Sequence, residues 1–206
     1  MACVGAGPAS LTVARDLLHE LLRALGAETF GLARSDKFVA IDTEAVRSED
    51  RALALQWAAE QALDAIVTTD GDADRPLIAD ETGHWLRGDL LGLLCARELA
   101  AGTVVTPVNS TTALEASGLF AEVRRTRIGS PHVIAGMAQP IHLPVVGFEA
   151  NGGFLLGSQV LRDGRRLGPL PTRDAVLPML ALLCGAKASK LKMSEVGYRL
   201  PKRFTA

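Results

Sequence analysis

The sequence predicts an α/β fold made of two similar small three-layer α/β/α domains with mostly parallel, mixed sheets. Short apolar, β-branched runs alternate with longer segments in which apolar residues recur every three or four positions. Strands separated by helices favour parallel pairing. The alternation occurs twice in 206 residues, a length that suffices for two small cores. We therefore predict domains over residues 1–84 and 85–186, followed by a linker over residues 187–206.

In the first half, the hydrophobic pattern predicts two helices and three short strands. The apolar residues of the first helix share one face, and Gly26 is a typical stop signal. Glu49 and Asp50 suit the first turn of the second helix, where the helix dipole favours acids. The predicted ranges are helix 11–25, strand 28–33, helix 48–63, strand 65–69 and strand 76–80, the last two forming a hairpin.

The second half repeats this rhythm. Thr112 and Glu115 match a capping box at the start of a short helix. Pro178 lies inside the last predicted helix, where it should cause a kink. The predicted ranges are helix 89–102, strand 103–106, helix 112–117, strands 120–126 and 143–148, and helix 172–184.

The composition argues against several classes of function. The net charge of −1 creates no field that would attract nucleic acid or an anionic membrane. Three scattered cysteines are too few for a disulfide framework or a zinc site. No apolar run approaches the roughly 20 residues of a membrane span, and the first residues make a poor signal peptide. We expect a cytoplasmic protein without nucleic-acid or membrane partners.

The stretch DGDADR, residues 70–75, is the clearest candidate for a functional site. Asp70, Asp72 and Asp74 place three carboxylates within five residues, between two apolar runs. Such carboxylates repel one another and are costly to desolvate unless a cation binds them. Oxygen-only ligands suit Mg²⁺ or Ca²⁺. The loop would also leave the carboxyl end of a buried strand, where open α/β sheets tend to bind ligands.

Three other interpretations of this loop are open on the pattern alone. One is a solvated acidic turn. Another is a Ca²⁺-binding EF-hand with Glu81 as its last ligand, although Arg75 stands where that loop needs glycine and the preceding residues look strand-like. The third is a phosphatase with Asp70 as nucleophile in an Asp-x-Asp pair, which is a short and weak motif.

Four segments together resemble the α-D-phosphohexomutases, the family of phosphomannomutase and phosphoglucomutase. TTDGDADR resembles the metal-binding loop of that family, and GFEANGG, residues 147–153, resembles its sugar-binding loop. ARSDKFVAIDTEAVR and RTRIGSPHVIAGM are similar to further phosphomannomutase segments. Their order corresponds to the second and third of the family's four domains, so the domain over residues 1–84 would bind metal and the domain over residues 85–186 would bind sugar.

The resemblance implies a cofactor, a substrate class and a set of site residues. Mg²⁺ would bind Asp70, Asp72 and Asp74, and the substrate would be a hexose phosphate, either mannose or glucose phosphate. The implied substrate-binding residues are Glu149, Asn151, Arg75, Arg127 and Ser130. The second loop departs from the family's commoner Gly-Glu-x-Ser-Gly-His form: Phe148 is inserted, Asn151 replaces serine and Gly153 replaces histidine. The choice between the two sugars is therefore open.

Two motifs of the family are absent from this sequence. The first is Thr-Ala-Ser-His-Asn-Pro, which carries the phosphoserine, and the second is the Arg-x-Ser-Gly-Thr phosphate loop of the fourth domain. We therefore assign no catalytic residue. We expect a fragment that is inactive alone and whose partners are the missing first and fourth domains, the segment 187–206 being the linker to the latter. The alternative is a non-catalytic module that binds metal and sugar phosphate.

Overall fold

The computed structural model describes residues 2–6, 12–33, 39–139, 142–198 and 200–201. Two mixed sheets, a small hairpin and six α-helices make up this part of the chain. The strands are β1 (Ala2–Ala6), β2 (Glu28–Leu32), β3 (Ala65–Thr69), β4 (Pro76–Ala79), β5 (Thr103–Pro107), β6 (Glu122–Thr126), β7 (Val145–Phe148), β8 (Phe154–Leu156), β9 (Val160–Arg162), β10 (Arg165–Leu167) and β11 (Leu170–Asp174). The helices are α1 (Thr12–Ala24), α2 (Ser48–Glu60), α3 (Gly88–Glu98), α4 (Ala113–Ser117), α5 (Ser130–Met137) and α6 (Val176–Ser189), followed by a 3₁₀ turn, Met193–Glu195.

The first sheet has the strand order β2-β1-β3-β4. β1 pairs in parallel with both β2 and β3, so that Val4 lies opposite Phe30 on one side and Ile66 on the other. β4 returns antiparallel to β3 and forms the predicted hairpin. β1 was not predicted from the sequence, because a five-residue run of small residues carries little periodicity. Its two neighbours in the sheet define it.

The second sheet repeats this order. It runs β11-β8-β7-β5-β6, with β5 parallel to β6 and β7, and β8 antiparallel to β7. Apart from the added edge strand β11, each strand has a counterpart in the first sheet, and the prediction of an α/β fold with mixed sheets is confirmed. The hairpin β3–β4 thus corresponds to the hairpin β7–β8. The boundaries of the two predicted domains stay a prediction.

One continuous core joins the two sheets. Val67 and Ile78 of the first sheet belong to the same buried cluster as Val104 and Phe148 of the second. Helix α3 lies in this cluster with Leu91, Leu93 and Leu94 fully buried, and helix α6 packs against α3 and β4. Because the core is shared, the loops at the ends of the two sheets are held in place relative to each other.

The last predicted helix, 172–184, was wrong at its start. Residues 172–174 belong to the edge strand β11, and α6 begins only at Val176. The carboxylate of Asp174 ends the strand and caps the helix, because its Oδ1 accepts the backbone N–H of Val176 at 2.8 Å and of Leu177 at 3.2 Å. Pro178 therefore lies in the first turn, where its missing N–H costs no helical hydrogen bond.

Other predicted elements agree with the structure to within a few residues. Leu11, the first residue of the first predicted helix, lies outside the described residues. The strands β9 to β11 after the second loop had not been assigned. Within the predicted linker, α6 continues to Ser189, and Met193 and Val196 are buried against the core. No helix in the described ranges has both the length and the apolar character that a membrane span requires.

Helix α3 ends earlier than predicted because the chain turns at Ala100. The N–H of Ala100 binds the carbonyl of Arg97, and the N–H of Ala101 binds that of Ala96, each at 3.0 Å. This double closure is the Schellman motif, which favours glycine at the left-handed position. Here that position, with φ of 51°, is held by the exposed Ala100.

We therefore expect Ala100→Gly to stabilise the chain. Relief of the left-handed strain exceeds the entropy that glycine adds to the unfolded chain, for a net gain of about 0.5 kcal/mol. Urea unfolding followed by circular dichroism measures the change. Ala52→Gly, at an exposed site inside α2, is the control and should lose about 1 kcal/mol. Equal losses in both variants would contradict the prediction.

Candidate metal and substrate site

The loop of residues 70–75, here called the aspartate loop, joins β3 to β4. The N–H of Asp70 binds the carbonyl of Arg75 at 3.1 Å, and the N–H of Ala73 binds the carbonyl of Asp70 at 3.2 Å. Inside the loop, Asp70 Oδ1 accepts the N–H groups of Asp74 and Arg75 at 3.2 and 3.0 Å. Ala73 is held at φ of 64°, a left-handed conformation that alanine rarely adopts. The loop is thus tightly folded around the carboxylate of Asp70.

This folding brings the three predicted metal ligands together. One carboxylate oxygen from each of Asp70, Asp72 and Asp74 lies within 4.8 Å of the others. Asp74 Oδ1 is buried and has no hydrogen-bond partner. A buried oxygen without a donor is costly unless a cation binds it. Three converging carboxylates therefore fit a hard divalent ion.

Burial makes the ionised carboxylates costly in the metal-free chain. It raises the pKa of Asp70 from 3.8 to about 6, and the charges of Asp72 and Asp74 add to the rise. Burial also raises the pKa of Asp74, and here the charge of Arg173 is the largest opposing effect. A bound cation would offset these costs by favouring the charged forms.

Two arginines contact the aspartate loop. Arg75 Nε lies 3.4 Å from Asp70 Oδ2 and 3.7 Å from Asp74 Oδ1. Arg173 reaches the loop from the second sheet and binds Asp74 Oδ2 at 2.7 Å. Arg75, which the family resemblance implied as a substrate-binding residue, forms ion pairs with the loop. Arg173 was not predicted.

The loop of residues 149–153, here called the glutamate loop, joins β7 to β8. The N–H of Glu149 binds the carbonyl of Gly153 at 3.1 Å, and the N–H of Gly152 binds the carbonyl of Glu149 at 3.0 Å. Asn151 Oδ1 accepts the N–H of Gly153 at 3.0 Å. The amide NH₂ of Asn151 is therefore the part of that side chain that can meet a ligand.

Glu149 is buried to 7% exposure at the end of β7. Burial raises its pKa, and the charges of Arg173 and Arg75 act in the opposite direction. The carboxylate thus shares the positive environment of the aspartate loop. A buried carboxylate of this kind can accept hydrogen bonds from neighbouring hydroxyl groups of a ligand.

The glutamate loop packs closely against the start of α3 and against Pro76, the residue that follows the aspartate loop. A Cβ placed on Gly88 would lie 2.4 Å from both the carbonyl oxygen of Ala150 and the N of Gly152. A Cβ placed on Gly152, where φ is 92°, would lie 3.2 Å from the carbonyl oxygen of Pro76. Thr43 Oγ1 donates to the carbonyl of Asn151 at 2.7 Å. The charges of Arg75 and Asp74 act on the pKa of Glu149, so the glutamate lies near the predicted metal ligands.

The geometry argues against an EF-hand. The aspartate loop is flanked by strands β3 and β4, whereas an EF-hand loop is flanked by helices. Glu81, which would be the last calcium ligand, instead accepts the N–H and the hydroxyl of Ser194.

The comparison with protein families decides the relationship. Residues 87–204, more than half of the chain, match the family described as phosphoglucomutase/phosphomannomutase, alpha/beta/alpha domain III. The chain belongs to the phosphoglucomutase/phosphomannomutase family. The match to domain III covers the second sheet and the glutamate loop. The assignment of residues 1–84 to the second domain stays a prediction.

Curated relatives in this family extend the match over nearly the whole chain. A phosphomannomutase of Salmonella muenchen is 54% identical over 193 residues, covering 93% of this chain and 40% of that protein. A phosphomannomutase of Sinorhizobium fredii is 48% identical over 196 residues, covering 92% of this chain and 41% of that protein. The chain thus spans about 40% of the length of these relatives.

Solved structures of the family share the fold. A phosphoglucomutase/phosphomannomutase family protein from Burkholderia thailandensis superimposes with a TM-score of 0.74 at 19% identity, covering 99% of this chain and 44% of that one. An N-acetylphosphoglucosamine mutase from Aspergillus fumigatus gives a TM-score of 0.67 at 16% identity, covering 98% and 50%. At these identities the likeness concerns the fold alone.

Two residues that the family resemblance implied lie further along the same sheet edge. Arg127 follows β6 and is exposed, and Ser130 begins α5 after Gly129, whose φ is 118°. β6 is separated from β7 by β5, so Arg127 and Glu149 follow strands about 10 Å apart. Their roles in substrate binding stay predictions.

Proposed function

We propose that this chain supplies the metal-binding and sugar-binding parts of a phosphomannomutase-type phosphohexomutase, which interconverts hexose 1- and 6-phosphates through a phosphoserine. The observation that carries the proposal is the convergence of three aspartates, one of which is bound by Arg173, a residue that also lies against Gly153 of the glutamate loop. The similarity to two phosphomannomutases, which are 54% and 48% identical over more than nine-tenths of the chain, supports it. The predicted cytoplasmic location belongs to the same proposal and rests on the sequence.

Each loop would have a separate task. Mg²⁺ on Asp70, Asp72 and Asp74 would supply charge neutralisation during phosphoryl transfer. Glu149 would accept from adjacent sugar hydroxyls, and the NH₂ group of Asn151 would donate to the sugar. Arg75 presents a planar guanidinium suited to a phosphate at the edge of the aspartate loop. Arg127 and Ser130 would contact the substrate from the end of β6 and the start of α5.

The phosphoserine and its chemistry would lie in parts outside this sequence. Neither the serine motif nor the distal phosphate loop of the family is present in the 206 residues. The missing first and fourth domains would be the partners of this chain. The isolated chain should therefore bind ligands without turning them over.

Calorimetric titration of the 206-residue chain with Mg²⁺, then with mannose and glucose 1-phosphates, tests the proposal directly. We expect Mg²⁺ binding that Asp72→Asn removes, and sugar phosphate binding in the presence of Mg²⁺. A coupled assay for 6-phosphate formation, with the bisphosphate activator, should detect no turnover by either protein. Turnover that depends on Asp72 would contradict the assignment of the nucleophile to a missing domain. A chain that binds neither Mg²⁺ nor sugar phosphate would contradict the site itself.

We expect Glu149→Gln to weaken hexose phosphate binding about tenfold without changing Mg²⁺ affinity. The substitution keeps the size of the side chain but replaces a charged acceptor by a neutral one, and a hydrogen bond to a charged group contributes about 1.5–3 kcal/mol. The same titrations measure both affinities. Gln56→Glu, on the exposed surface of α2, is a control in which neither should change. Unchanged sugar phosphate affinity in Glu149→Gln would remove Glu149 from the site.

A further inference from the structure

We propose that Arg173 is a positioning residue for the metal site, which it reaches from the second sheet and for which it orients Asp74. This inference rests on the proposed metal-binding function of the aspartate loop. The salt bridge from Arg173 to Asp74 Oδ2, at 2.7 Å, joins residues almost a hundred positions apart in sequence. The other oxygen of Asp74, Oδ1, is buried and has no hydrogen-bond donor. Arg173 thus holds one oxygen and leaves the other for a cation.

The local irregularity of β11 directs Arg173 to this contact. Leu170 pairs with Leu156 and Asp174 pairs with Phe154, so four steps along β11 match only two along β8. Such a bulge changes the direction of the side chains within it. Arg173 lies in the bulged segment and is part-buried, with 28% of its side chain exposed.

Gly153 provides the space through which Arg173 passes. A Cβ placed on Gly153 would lie 2.8 Å from Cδ and 3.2 Å from Cγ of Arg173. Any larger residue at position 153 would displace the arginine. The side chain of Arg173 therefore lies along the glutamate loop while its guanidinium binds the aspartate loop, and one residue fixes the distance between them.

An alternative role for Arg173 is a plain counter-charge that competes with the cation. The two roles predict opposite effects when the charge is removed. A competitor would weaken metal binding, so its loss should strengthen it. A positioning residue would orient a ligand, and the loss of such outer partners typically weakens metal affinity about 10- to 100-fold. Asp74 Oδ1 is buried, accepts no hydrogen bond and lies 3.7 Å from Arg75 Nε. It favours positioning, because Arg173 occupies only the other oxygen.

The test compares Mg²⁺ binding by the parent chain, Arg173→Gln, Arg173→Lys and Gly153→Ala, using calorimetry and Mn²⁺ electron paramagnetic resonance. We expect Arg173→Gln to bind both ions about tenfold more weakly, and Gly153→Ala to change affinity in the same direction. Arg173→Lys keeps a charged donor group, and its metal affinity should lie between those of the parent and Arg173→Gln. Arg165→Gln, on the exposed strand β10, is the matched control and should bind like the parent. Melting in EDTA should change by less than about 2 °C, because a part-exposed ion pair contributes little to stability.

The outcomes separate this inference from the proposed function. If the parent chain binds neither ion, the metal site and the inference both fail. If the parent binds and Arg173→Gln binds as tightly or more tightly, the metal site stands and the positioning role fails. An equal loss in Arg165→Gln would also overturn the inference, because it would show a general effect of charge.

Discussion

Asp70→Asn is expected to abolish Mg²⁺ binding and, at neutral pH, to make the metal-free chain more stable. The loss of affinity should be at least about 100-fold, because even outer-shell changes cost up to that much. The gain in stability follows from the pKa of Asp70, which burial raises from 3.8 to about 6. The folded chain then binds this proton more tightly than the unfolded chain. The contribution of Asp70 to the free energy of unfolding therefore falls as pH rises from about 4 to about 6. Asp70→Asn lacks the titrating carboxyl and should not show this decrease.

Thermal unfolding in EDTA between pH 4 and pH 8, with and without excess Mg²⁺, measures both effects. Without metal, the melting temperature of the variant should exceed that of the parent at pH 7.5 and be close to it at pH 4. Added Mg²⁺ should raise the melting temperature of the parent only. Asp72→Asn is the matched control, since Asp72 is exposed in the same loop. It should lose metal binding with a much smaller gain in stability. A difference in melting temperature between variant and parent in EDTA that does not grow from pH 4 to pH 6 would contradict the assignment of the cost to Asp70.

Gly88→Ala is expected to destabilise the chain by about 3 kcal/mol and to disrupt sugar phosphate binding. The added methyl group would lie 2.4 Å from backbone atoms of Ala150 and Gly152. Backbone atoms cannot escape by changing rotamer, so the cost falls at the upper end of the 1–3 kcal/mol typical of overpacking. The glutamate loop has to move away from α3, which changes the position of Glu149.

Urea unfolding and titration with mannose 1-phosphate at saturating Mg²⁺ measure this effect. Gly168→Ala is the control, because the space around Gly168 is open and its φ is not positive. It should change neither stability nor affinity by a measurable amount. If Gly88→Ala folds with parental stability and affinity, the close packing of the glutamate loop against α3 is wrong.

The parts of the site that were predicted from sequence are those that local chemistry specifies. Three aspartates that alternate with the small residues Gly71 and Ala73 indicate a loop between two strands. The strands β3 and β4 are found at the expected positions. Glu149 follows an apolar strand and precedes Asn151-Gly152, a typical turn sequence. These signals lie within a few residues of the loops they define.

The parts that were missed depend on contacts between distant segments. β1 is defined by its pairing with β2 and β3, because its own five residues have little strand pattern. Arg173 was placed at the start of the predicted helix 172–184, whereas it lies in the edge strand β11. The carboxylate of Asp174 accepts the N–H of Val176, so that α6 begins at Val176 and not at residue 172. An arginine in an edge strand carries no local mark of a contact with Asp74.

The equivalence of the two hairpins has a consequence for the origin of this site. β3–β4 and β7–β8 hold the same place in sheets of the same order, and the loops between them are the aspartate loop and the glutamate loop. Duplication of a single ancestral unit would supply both loops at once, at corresponding ends of the two sheets. Divergence then needs only to change a few side chains in each copy, so that one loop carries Asp70, Asp72 and Asp74 and the other carries Glu149 and Asn151.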